Sequence, residues 1–100
     1  MSKIDSEKLA ELRKAHRVVT AIEVEDNGET LCCYLKRPSV ETQTIVNKLA
    51  KTDDMKALSV MISNCWLEGD SVIKDDPILL AAVGNQFGQA NQPAAKVIKN

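Results

Sequence analysis

The chain has 100 residues, 13 basic against 14 acidic for a formal charge of -1, with 44% apolar and 27% charged residues. A chain of this size makes one domain around one core, and a composition near the globular average excludes wholesale disorder. The balanced charge argues against a surface built on phosphate contacts, so no nucleic-acid partner is expected, and no stretch of about 18 apolar residues reads as a membrane span.

The opening Met-Ser-Lys-Ile-Asp-Ser-Glu-Lys lacks the apolar core of a secretory signal, which makes a cytoplasmic location the expectation. Asp5 or Ser6 caps a first helix running to about His16, with Leu9, Leu12 and His16 on one side. So short and charged a helix is marginal alone, and Leu9 and Leu12 need a sheet or another subunit to pack on. His16, near the helix C-terminus, reads as a dipole-compatible end residue.

The period then changes from 3.6 to two. Arg17 to Glu25 is rich in β-branched residues, with Val18, Thr20, Ile22 and Val24 on one face and Val19, Ala21, Glu23 and Glu25 on the other. Asn27-Gly28 is a tight-hairpin signal, and Thr30 to Lys36 forms the returning strand. Leu31, Cys33 and Leu35 share its core face with Ile22 and Val24 of the first strand, leaving Thr30, Cys32, Tyr34 and Lys36 on the other. A lone two-stranded ribbon is unstable in water, so it needs helices over one face. No sequence remains for a third long strand, which points its unpaired edge towards a dimer or a partner.

Pro38 ends the ladder and Ser39 caps a second helix, Val40 to about Thr52, whose stripe is Thr42, Ile45, Val46 and Leu49. Asp53 or Asp54 caps a third, from about Met55 to Leu67, with Leu58, Met61, Ile62, Cys65 and Trp66 facing the core. Gly69 reads as a left-handed helix C-cap. Asp75 or Asp76 before Pro77 starts a fourth helix with Leu79, Ala82, Val83, Gln86 and Phe87 inward. The fold class is therefore α+β: an N-terminal helix, a two-stranded antiparallel β-hairpin, then three helices packed over the sheet. Residues 1–88 form a single domain, and the polar, Pro-interrupted residues 89–100 form a flexible C-terminal tail whose Val97-Ile98 pair suits a docking peptide.

Chemistry is sparse. His16 is the single histidine, no nucleophile elbow or Gly-rich phosphate loop exists, and the acidic clusters mostly stand where turns and caps want a carboxylate. Cys32, Cys33 and Cys65 lack a Cys-x-x-Cys spacing and read as buried apolar side chains. The expectation is a non-enzyme with no cofactor and no metal. Trp66 reads as a core plug, or as a binding anchor where exposed.

The order of elements, the segment Tyr34-Leu35-Lys36-Arg37-Pro38-Ser39 and the segment Asn64-Cys65-Trp66-Leu67-Glu68-Gly69-Asp70 resemble small bacteriophage and prophage tail assembly chaperones, over approximately Val18 to Phe87. The resemblance implies a non-catalytic protein that holds tape-measure or tail-tube protein in an assembly-competent state, and many members also make a longer form by ribosomal frameshifting. It supplies no binding motif. The candidate partner-binding residues come from the residues themselves: Val19, Ala21 and Tyr34 on the open side of the hairpin, Trp66, and Val97 and Ile98 in the tail. The alternative is a small cytoplasmic protein-interaction module unrelated to phage tails, homodimeric through the hairpin edge.

Overall fold

Asn27 and Gly28 both take positive φ, 52° and 80°, the two-residue hairpin geometry whose twist matches that of the strands it joins. A computed structural model of the chain describes residues 3–98. Around this turn lie α1 (Ser6–Ala15), β1 (Val19–Asp26) and β2 (Glu29–Lys36). They are followed by α2 (Val40–Leu49), α3 (Asp54–Cys65), β3 (Trp66–Gly69), α4 (Val72–Asp75) and α5 (Pro77–Ala90). The architecture is α+β, a three-stranded antiparallel sheet in the order β1-β2-β3 with helices on both faces.

Register follows from the turn. Ile22 stands opposite Cys33 and Val24 opposite Leu31, so these side chains and Leu35 point to one face. There they meet Ile62 and Cys65 of α3, Ile73 of α4, and Leu79, Leu80, Val83 and Phe87 of α5 in the main core. Caps set the helix starts by satisfying orphan N–H groups. Asp5 accepts from Glu7 and Lys8, Ser39 from Thr42, Asp53 from Lys56, and Asp76 from Ile78 and Leu79, with Pro77 following it. Carboxylates thus begin three of the helices, as their positions in the sequence suggested.

α2 packs on α3, where it buries Thr42 and Val46. Ile45, read as part of the buried stripe, is half exposed, because α2 packs chiefly on α3 and its apolar arc is narrower than the pattern implied. At the far end Asn91 accepts from the Arg37 side chain at 3.0 Å and donates to the Phe87 carbonyl at 2.9 Å, closing α5 against the end of β2. Residues 92–98 carry no regular secondary structure.

The third helix ends two residues earlier than expected. Trp66 is already extended (φ -64°, ψ 125°), and Trp66–Gly69 pairs with β2 as a short third strand. No third long strand forms, but a short one does, and it takes up part of the hairpin edge: the unpaired groups of β2 outcompete one more helical turn. β3 covers the Cys33–Leu35 stretch of that edge, and β1 is the long edge strand of the sheet. Between Glu68, opposite Tyr34, and Trp66, opposite Leu35, the extra residue Leu67 makes a bulge.

Gly69 is no helix cap. Its φ of 147° lies where L side chains rarely sit, and a Cβ there would stand 2.5 Å from the Cys32 carbonyl oxygen and 2.6 Å from the Cys33 Cα. Only glycine lets β3 come this close to β2. Gly69→Ala is expected to destabilise the fold by roughly 2–4 kcal/mol, measured by urea unfolding, since strain and a backbone clash coincide. An unchanged midpoint would mean that β3 does not dock as described.

Candidate protein-binding face

β2 reads exposed-intermediate at its start and then buries five residues in a row, Leu31 to Leu35. Alternation places Cys32 and Tyr34 on the face opposite the main core, so something must cover that side as well. The cover is α1. Val19, Cys32 and Tyr34 form a second apolar cluster with Ala21 and Leu67, and Ile4, Leu9 and Leu12 of the N-terminal segment pack onto it.

This corrects the picture of an open hairpin side. Val19 and Tyr34 are each 3% exposed and Ala21 is half-buried, because the short first helix found its docking surface on the sheet. Trp66 lies on the other side of the molecule, partly buried against the main core, with the Lys74 ammonium 4.6 Å from its ring centroid. Val97 and Ile98 are 81% and 74% exposed. The six candidate residues therefore fall into three separate places, and only Val19, Ala21 and Tyr34 share a surface.

Polar contacts frame that surface. The Asp5 N–H donates to the Tyr34 hydroxyl at 2.8 Å, and Arg13 donates to the Val19 carbonyl at 3.3 Å. The Lys8 ammonium donates to Glu68, and that of Lys3 to Asp70 at 2.7 Å. An open depression of about 330 Å³ runs along this seam, lined by Lys3, Asp5, Lys8, Tyr34, Glu68 and Asp70 among others. Asp70 is the residue that the sequence reading missed. Its carboxylate also accepts from the Cys32 N–H at 2.9 Å while its own N–H donates to the Cys32 carbonyl at 2.9 Å, so one side chain ties β3, β2 and the N-terminal segment together. Its only signal in the sequence was its place after Gly69; its partners lie 38 and 67 residues away.

The hydrogen bonds from Lys3 and from the Cys32 N–H hold the Asp70 carboxyl below its ordinary value. The same carboxylate raises Lys3, and Glu68 raises Lys8. The thiols move the other way: burial pushes Cys33 up to about 12 and Cys65 up to about 11, and raises Cys32 as well. Thiols so protonated are poor nucleophiles and poor ligands.

His16 lies elsewhere, in a shallow depression of about 270 Å³ with Arg17, Lys36 and Arg37, whose lining contains neither a carboxylate nor a thiol. Among the described residues, no group of three or more His, Cys, Asp or Glu side chains is placed to hold a metal ion. No described helix is long and apolar enough to cross a membrane. Comparison with protein-family models, characterised proteins and solved structures finds no match to this chain.

The clamp titrates with a definite sign. Because the folded Asp70 is lowered, its contribution is fully present above the ordinary carboxyl value of 3.8 and is lost as pH falls through the lower, folded value. The Cys32 amide resonance is expected to report this step below pH 3.8. Asp70→Asn removes it; an inflection at or above 3.8 would contradict the clamp.

Proposed function

We propose that this chain is a non-catalytic, cytoplasmic binding protein of phage tail assembly, one that keeps an apolar, helical client such as a tape-measure or tail-tube protein from aggregating before it is built in. The likeness of Tyr34 to Ser39 and of Asn64 to Asp70 to small tail assembly chaperones motivates the identity of the client. The observation that carries the binding role is structural: an apolar sheet face of Val19, Cys32 and Tyr34 is covered by a helix, α1, that buries no residue of its own. A face of that kind is a reservoir of contact surface at low cost, as sites that open to partners must be. Shielding a helix by such contacts draws on apolar burial and needs neither nucleotide nor metal.

Co-expression with the tail proteins encoded beside the gene tests the reading. The tape-measure or tube protein is expected to stay in the supernatant and to co-purify with this chain, and to precipitate without it. If the neighbouring genes have no connection with tails, or if neither protein co-purifies, the tail role is wrong. The remaining reading is then the interaction module unrelated to phage.

A further inference from the structure

We propose that α1 is an internal surrogate for the partner. The sheet face beneath it is a receptor for an amphipathic helix that carries apolar side chains three positions apart and a lysine just before the first. This rests on the protein-binding reading above and specifies which surface does the binding and what it selects.

The helix that occupies the face defines the ligand. Leu9 and Leu12, one helical turn apart, lie against Val19, Cys32 and Tyr34, and Lys8 immediately precedes the pair. The rim of the receptor is acidic, Glu68 and Asp70 on and just after β3, and it meets the two lysines of the N-terminal segment. A basic amphipathic helix therefore matches the face in both apolar spacing and charge, whereas an acidic one meets repulsion at the rim.

The attachment of α1 is weak enough to be exchanged. The helix has 10 residues, below the length at which helices persist alone, and none of them is buried. Its one ion pair to the sheet, Lys8 to Glu68, and the neighbouring pair of Lys3 with Asp70 are open to solvent, where such pairs contribute little. The main core, by contrast, is built by β1, β2, α3, α4 and α5 without any residue of α1. Release of α1 is thus a local opening that leaves that core closed, and an external helix competes with α1 for one surface.

Cys32 is a built-in reporter. It is buried within the α1-covered cluster, whereas Cys33 and Cys65 are fully buried in the main core. In the full-length chain, Leu9→Glu with Leu12→Glu undocks α1, and alkylation of each thiol is followed by peptide mass mapping. Cys32 is expected to react roughly tenfold faster or more than in the parent chain, with Cys33 and Cys65 still protected. A synthetic peptide of residues 3–17 should restore protection, and the same peptide carrying the two glutamates should not.

Unchanged Cys32 reactivity, or no protection by the peptide, overturns the proposal. So does simultaneous reaction of all three thiols, which makes α1 part of the global fold. Because the peptide is the chain's own, the result stands apart from the identity of the client. Peptide binding without any tail protein removes only the tail role, and tail co-purification without peptide binding moves the site elsewhere.

Discussion

From Cys32 to Leu35, β2 is buried on both faces and paired on both edges, and this one constraint organises the molecule. A strand with Leu31, Cys33 and Leu35 on one side and Cys32 and Tyr34 on the other leaves no face for water. One side is answered by α3, α4 and α5, the other by α1, the first edge by β1 and the second by β3. The second edge is the most demanding, because β3 reaches β2 only through the bare backbone of Gly69 and is then locked by the two hydrogen bonds between Asp70 and Cys32. Buried thiols in β2 fit the same logic: Cys32 and Cys33 are small enough to pack under close neighbours and carry no strong polar group to satisfy.

The two covers are unequal. The helical side contains the large, fully enclosed side chains Leu35, Ile62, Ile73 and Val83, and that inequality gives the molecule a stable body and a looser cap. On the α1 side the N-terminal segment and helix contribute only partly buried Ile4, Leu9 and Leu12, together with two solvent-exposed ion pairs. The proposed client-shielding role requires such a division, since a surface lent to a partner must be hidden when idle and released without unfolding the rest. On the proposed exchange of α1 for a client helix, the acidic Glu68 and Asp70 at the rim would favour basic helices through charge more than through contact area.

Much of the architecture is legible in local pattern. The hairpin, its register and its core face follow from the alternation around Asn27-Gly28, and the helix starts follow from Asp5, Ser39, Asp53 and Pro77. What escaped was non-local. Trp66 and Leu67 continue the apolar helical run that Gly69 was read to cap, and nothing in that run announces that the edge of β2 will capture it. Tyr34, Val19 and Ala21 read as an open face because a short, charged helix gives no sign of where it will lie. Asp70 reads as a turn carboxylate, since its lysine and its backbone partner are brought to it only by the finished sheet. In each case local propensity was outweighed by the need to pair or cover β2.

Residue-resolved native-state hydrogen exchange measures the central claim, a twice-buried strand with one firm cover and one loose one. The amides of Cys32 to Leu35 in β2 should exchange only through global unfolding, with a denaturant dependence matching that of the whole domain, while those of α1 exchange through a smaller opening of lower free energy. Protection of α1 equal to that of β2, with the same denaturant slope, would contradict the account.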